Sequence, residues 1–233
     1  QKGKANVIIA GGFEQISFDL YMIFLMRKML AGSNGTDKEI SMPFDKRRNG
    51  FIMSEGSYVF IMENLEFALS RGARIYGEIS GFATIFAGNK MYHTGKRIEK
   101  AKVAMQKCLD DANLSIHDVD LINANGNSGD VSDLIEAKAI GELFETGDKE
   151  IPVYAVKSVV GECYGASGAM QTAAAVLSIH NSLVPPTINY EEKDPECDVN
   201  ITKEKQVRDI NTALVNSFDL SGNNSCLVLK KYE

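Results

Sequence analysis

The residue types able to do acid–base or nucleophilic chemistry gather in one stretch, Ala155-Val-Lys-Ser-Val-Val-Gly-Glu-Cys-Tyr-Gly-Ala-Ser-Gly-Ala169. It reads as a short apolar strand, a turn at Gly161 and a helix start, a place where many α/β folds put reacting groups. The group offered there is Glu162, with Lys157 before it and Cys163 after it. A carboxylate only accepts hydrogen bonds, and a thiol is a nucleophile only as its thiolate. A buried, inert Cys163 is the simpler reading, although it could face a site. Gly165, Ala166, Gly168, Ala169, Ala173, Ala174 and Ala175 leave little side chain on the following helix. Such a surface lets backbones approach closely and predicts a central buried helix.

The bulk properties bound the function. The 233 residues are ample for a core, with 44% hydrophobic and 24% charged residues and a net charge of −6. That charge argues against a nucleic-acid surface. Four cysteines (Cys108, Cys163, Cys197, Cys226) show no paired metal spacing, so reduced thiols in a cytoplasmic protein are expected, with no metal and no cofactor. The apolar run Leu20–Met26 is too short to span a bilayer, and no signal peptide is recognised. The chain opens Gln1-Lys-Gly-Lys and enters a strand at once, which leads to the expectation of a partner chain or a longer polypeptide.

The elements that must position these groups follow from periodicity and punctuation. Val7–Ala10 reads as a buried strand ending in a tight turn at Gly11-Gly12. Asp19 to about Leu30 has helical spacing and reads as a core helix. Lys46-Arg47-Arg48 reads as a solvated turn rather than a phosphate grip. Tyr58–Met62 is a strand, Leu65–Ser70 a short helix stopped by Gly72, and Arg74–Phe82 a fresh strand that marks a boundary between two halves. Lys96–Ala112 is an amphipathic helix. Asp120–Ala124 is a strand, and the helix after it runs to about Phe144, with Asp130 and Asp133 suited to its N-terminal dipole. Val153–Val156 is the next strand, the small-residue helix ends before Pro185-Pro186, and Thr212–Phe218 and Ser225–Lys230 are closing strands. Strands alternating with helices predict an α/β sheet covered on both faces.

Several motifs stand in a fixed order: Pro43-Phe-Asp with Asn49-Gly-Phe and Glu55-Gly, Asn123-Ala-Asn-Gly-Asn, Lys157-Ser with Gly161 and Gly165-Ala-Ser-Gly-Ala, Pro185-Pro-Thr-Ile-Asn189, and Asn216-Ser-Phe. In these the chain resembles the β-ketoacyl synthases, the condensing enzymes of fatty-acid and polyketide assembly. The resemblance covers essentially the whole chain and matches the C-terminal side of the family. It implies a thiolase-like fold, layered α-β-α-β-α with mixed sheets: residues 1–72 would be the final part of the N-terminal half, and residues 73–233 a complete C-terminal half. Ala10-Gly-Gly-Phe-Glu14 resembles a family segment that follows the nucleophile, so the catalytic cysteine would lie upstream of Gln1.

The departures from the family are chemical. Where the family's catalysts carry two histidines, this sequence has Asn125 and Glu162; where threonines grip pantetheine, it has Asn127 and Gly129. The oxyanion turn reads Asp219-Leu-Ser-Gly222, with Leu220 at its centre. Lys157 and Glu136 match retained family positions, and a buried pair supporting the helix start is their bland reading. Decarboxylative Claisen condensation needs a thiolate and donors that stabilise a developing enolate. Asn125 can donate a hydrogen bond but cannot exchange protons near neutrality. A carboxylate at Glu162 would repel malonyl and enolate, although burial could keep a proton on it unless Lys157 lies close.

Family members without the histidines are chain-length factors, non-catalytic partners of ketosynthases in type II polyketide assembly. The expectation is therefore a non-catalytic subunit that shapes a chain tunnel. Its expected partners are a catalytic ketosynthase subunit, the remaining N-terminal part of its own subunit and an acyl carrier protein docking mainly on the partner. Two alternatives stay open. One is an active synthase subunit using Glu162 as a protonated donor with Cys163 or an upstream cysteine as nucleophile; the other is a structural scaffold. His93, His117 and His180 match no catalytic position and read as surface residues.

Overall fold

The computed structural model describes residues 3–33, 35, 39–88, 94–144 and 150–232. In chain order the elements are β1 (Val7–Glu14), α1 (Phe18–Met26), β2 (Gly56–Glu63), α2 (Leu65–Ser70), β3 (Glu78–Phe86), α3 (Thr94–Asp111), β4 (Leu121–Asn123), α4 (Asp130–Phe144), β5 (Val153–Tyr154), α5 (Lys157–Val160), α6 (Ser167–Asn181), β6 (Leu183–Val184), β7 (Gln206–Val207), β8 (Thr212–Phe218) and β9 (Asn223–Lys230).

Alternation along the strands builds the main sheet, because successive side chains leave a strand on opposite faces. The five strands run in the order β3-β9-β8-β4-β5, with β4 parallel to β5 and β8 and with β9 antiparallel to β3 and β8. On one face Ile122, Val153, Leu214 and Val228 pack with Ala101, Met105 and Leu109 of α3 and Ala137 and Ile140 of α4. On the other, Leu121, Tyr154, Ala213, Val215 and Leu229 pack with Ala175 and Ile179 of α6. The sheet is thus covered on both faces, as the alternating pattern predicts.

β1 and β2 form a separate antiparallel ribbon pairing Val7 with Glu63 through Glu14 with Gly56. The expectation of a buried strand with a turn at Gly11-Gly12 is corrected here. One strand runs through both glycines, and Ile9, Phe13 and Ile61 stand 74%, 78% and 70% exposed on one ribbon face. The glycines serve close packing instead of a turn: a Cβ on Gly12 would lie 2.3 Å from the carbonyl oxygen of Gly165.

Two further expectations change. α1 stops at Met26, and Met29 and Leu30 follow it as chain that pairs with residue 51. The small-residue helix begins at Ser167, later than expected, because α5 and a 3₁₀ turn at Tyr164–Ala166 come first. Ala175 of α6 is buried, but Gly168, Ala169, Ala173 and Ala174 are only half-buried, and Gly165 is exposed. All four cysteines are free and buried. Among the described residues no helix is long and apolar enough to cross a membrane.

The basic run at residues 46–48 is less solvated than expected. Lys46 is an exposed partner of Glu192, but Arg48 is nearly buried and donates to Asp194 at 2.6 Å and to the carbonyls of Asp45 and Asp130. Asp45, fully buried, accepts from Arg47 Nε and from the amides of Arg47, Glu191 and Glu192. Desolvation alone would raise its pKa, but these donors hold the carboxyl at about 2. This clasp fastens the loop before β2 to the segment after Pro186. Asp45→Asn keeps the shape but removes the charge that three amides and a guanidinium share. It should cost about 1–3 kcal/mol in urea unfolding at pH 7. Because a lowered carboxyl stabilises only above its unfolded pKa, that difference should fade as pH falls toward about 2.

Candidate functional site

The site is built where α5 ends. Gly161 adopts φ +79°, and a Cβ there would approach the Ile52 carbonyl to 2.9 Å, so only glycine turns the chain sharply at this point. The Glu162 amide then donates to Ile52 O at 2.8 Å and Ser54 N donates to Glu162 O at 3.0 Å, a parallel bridge that fixes the backbone. The Glu162 side chain is thereby aimed inward, 6% exposed overall.

Lys157 Nζ, itself buried, donates to Glu162 Oε2 and to Asn125 Oδ1, both at 2.8 Å. Glu162 also accepts from Asn127 Nδ2 at 3.3 Å, from the Tyr164 amide at 3.1 Å and, through a short hydrogen bond, from the Ser167 hydroxyl. Four donors converge on one carboxyl group. That is the environment of a charge acceptor, not of a proton donor. The Asn125 carboxamide oxygen takes a second bond from the Phe218 amide at 3.2 Å, so its NH₂ is the donor left toward the adjoining cavity.

Glu136 does not pair with Lys157. Its two oxygens accept from the amides of Asn125 and Gly126 at 2.8 Å each and from Asn216 Nδ2 at 3.0 Å. Asp133, expected at the helix dipole, accepts from the amides of Asn127, Ser128 and Phe44. Two buried carboxyls thus hold the loop that carries Asn125 and Asn127. Burial pushes Glu136 up to about 7 and Asp133 up to about 6, against the hydrogen bonds that favour ionisation.

Asn125, Asn127, Lys157, Glu162 and Leu220 line one cavity of about 1060 Å³, together with Phe24, Met29, Tyr164, Phe218 and two arginines, Arg27 and Arg97. Gly129 and Glu136 lie outside its lining; Gly129 instead donates its amide to Asn127 Oδ1 at 3.0 Å. Asn127 is therefore held by the loop and by Glu162. Cys163 points away, its Sγ 2.9 Å from the Ser54 hydroxyl, and burial raises its thiol, which suits an inert group. His117 and His180 are exposed, the latter against Arg74, and neither lines the cavity; His93 lies outside the described residues. Sequence reasoning did not single out Tyr164, Arg27, Arg97 or Ser167. Phe24 stacks on Tyr164 at 4.8 Å with Phe51 edge-on, a wall assembled from three separate segments.

The family described as "Beta-ketoacyl synthase, C-terminal domain" matches residues 76–191, the span that includes Asn125, Lys157 and Glu162. These residues form a β-ketoacyl synthase C-terminal domain. The chain is 37% identical over 234 residues to the "3-oxoacyl-[acyl-carrier-protein] synthase 2" of Staphylococcus aureus (strain COL), an alignment covering 100% of this chain and 56% of the relative. It thus spans about half the length of the curated relatives it matches. Among solved structures, "The ishigamide ketosynthase/chain length factor" superposes with TM-score 0.87 at 30% identity, covering 99% of this chain and 55% of that one. A type II polyketide synthase acyl carrier protein in complex with its ketosynthase, bound to the hexaketide, gives TM-score 0.90 at 30% identity, over 99% of this chain and 57% of that one. The chain has the thiolase-like fold of these neighbours and corresponds to their C-terminal part.

Two outcomes test this geometry. Glu162→Ala leaves the buried Lys157 ammonium without its carboxylate and should cost about 3–5 kcal/mol in denaturant unfolding. Glu162→Gln, which keeps an acceptor oxygen, should cost clearly less. Glu136 and Asp133 have folded pKa values above their unfolded ones. Their contribution is complete below the unfolded pKa and is lost as pH rises through about 6 and 7. Stability followed from pH 4.5 to 7.5 should carry this falling component, and Glu136→Gln should flatten it.

Proposed function

We propose that this chain belongs to a non-catalytic subunit of the chain-length-factor kind. It would shape the cavity that holds a growing acyl or polyketide chain while a catalytic partner performs the condensation. The observation carrying this reading is the Lys157–Glu162 ion pair at 2.8 Å, fixed beside Asn125. Where the resemblance implies two proton-exchanging histidines, a carboxylate with four donors and an amide stand instead. An enolate oxygen placed beside Glu162 would face a charge of its own sign.

The same proposal covers the partners. A catalytic ketosynthase subunit would supply the nucleophile. The remaining N-terminal part of the subunit, separate or cleaved, would cover the apolar face of the β1–β2 ribbon, and an acyl carrier protein would dock mainly on the catalytic subunit. The halves would meet near residue 72, between α2 and β3. Asn127, Gly129 and Leu220 would be altered pantetheine and oxyanion positions. One finding favours a second reading: the 37% identical relative is named a synthase, which fits an active subunit with atypical acid–base residues.

A condensation assay on the assembled subunit pair separates the two. Glu162→Gln should leave turnover within about twofold, and replacing the partner's nucleophilic cysteine should abolish it. A loss of about 10²–10³ from Glu162→Gln in an intact assembly is what a catalytic donor would give, and it would overturn the proposal.

A further inference from the structure

Beyond the ion pair, the charges on the cavity wall are unequal. Lys157 is neutralised by Glu162, but Arg27, at the end of α1, has no carboxylate partner among the described residues. Arg97, in the first turns of α3, makes a single hydrogen bond among those residues, a long one of 3.5 Å to the Asp219 carbonyl. The Asp219 carboxylate also lines the cavity, yet it is turned into its own loop. It accepts from the Ser221 hydroxyl at 2.8 Å, from the amides of Gly222 and Asn223 at 2.7 and 2.9 Å, and from Asn223 Nδ2 at 2.8 Å. Burial pushes the Arg97 guanidinium down from its ordinary value, with the Asp219 charge opposing. A half-buried cation with so little local compensation is costly, and an anion from solution relieves that cost.

The remaining wall is apolar: Phe24, Met29, Tyr164, Phe218 and Leu220. A volume of about 1060 Å³ exceeds what an inorganic ion needs and lies at the upper end of small-molecule sites. The complementary ligand therefore has a hydrocarbon body and one anionic end. We propose that this cavity binds an amphipathic anion, a chain ending in a carboxylate or a phosphate, with the chain on the aromatic wall and the head group on Arg27 and Arg97. The inference rests on the reading of the cavity as a chain-holding rather than a condensing site, and it adds what anchors the ligand.

Calorimetric titration of the intact protein with dodecanoate, dodecanol and 4′-phosphopantetheine tests it. Dodecanoate should bind at least about tenfold more tightly than dodecanol, the scale of one charge-assisted hydrogen bond. That preference should shrink with added salt and with Arg97→Gln, and Arg97→Lys should keep part of it. Arg27 is exposed, so Arg27→Gln provides a second variant that leaves the core untouched; it should weaken dodecanoate and spare dodecanol. Equal binding of the two chains, or a preference surviving both arginine variants, overturns the anionic anchor and leaves the chain-holding reading intact. If neither chain binds, both readings fall. Arginine-dependent binding of phosphopantetheine without dodecanoate shows an anion held without a hydrocarbon, and it overturns the amphipathic ligand.

Discussion

A lysine ammonium and a carboxylate, both cut off from water, organise the centre of this protein. Each is costly to bury alone, and together they are tolerable because further hydrogen bonds surround them. Asn125 takes one Lys157 hydrogen, and Asn127, Tyr164 and Ser167 complete Glu162. The loop from Asn125 to Ser128, the turn at Gly161 and the start of α6 are therefore fixed to one another through charge. Removing the carboxylate would break the charge link between these three segments.

The loop is held from below by a different device. Glu136 and Asp133 gather six donors, five of them backbone amides of the 125–128 loop and of Phe44. Acids in that position prescribe where Asn125 and Asn127 point without entering the cavity themselves. The cavity thus has a polar floor tied together by hydrogen bonds and an aromatic wall in which the Tyr164 hydroxyl has no partner among the described residues.

How much of this was legible follows from the kind of signal each residue gives. The sheet strands and α3 carry clean periodicities, and Leu65–Ser70 and Thr212–Phe218 fall where their patterns place them. The motif order around Asn125, Lys157 and Gly161 pointed to one site, and the structure gathers these residues with Glu162. The pairing partner was not legible: Lys157 lies five residues from Glu162 but twenty-one from Glu136, and only the turn at Gly161 decides between them. β1 was misjudged because Gly11-Gly12 signals a turn when local chemistry is considered alone. Here the glycines admit the backbones of Tyr58 and Gly165, a tertiary demand that leaves no periodic trace. Tyr164, Phe24 and Phe51 come from distant segments, so their stacking could not be read from spacing.

That close passage of Gly12 over Gly165 places the ribbon and the start of α6 in direct main-chain contact, with no side chain to cushion them. The same ribbon turns Ile9, Phe13 and Ile61 outward. Pressure on that outer surface would be felt one strand's thickness away, at the turn bearing Tyr164 and its carboxylate neighbour. The ribbon and the turn beside the chamber thus share a main-chain contact, at Gly12 and Gly165, where Gly12 could not gain a side chain without displacing the Gly165 carbonyl.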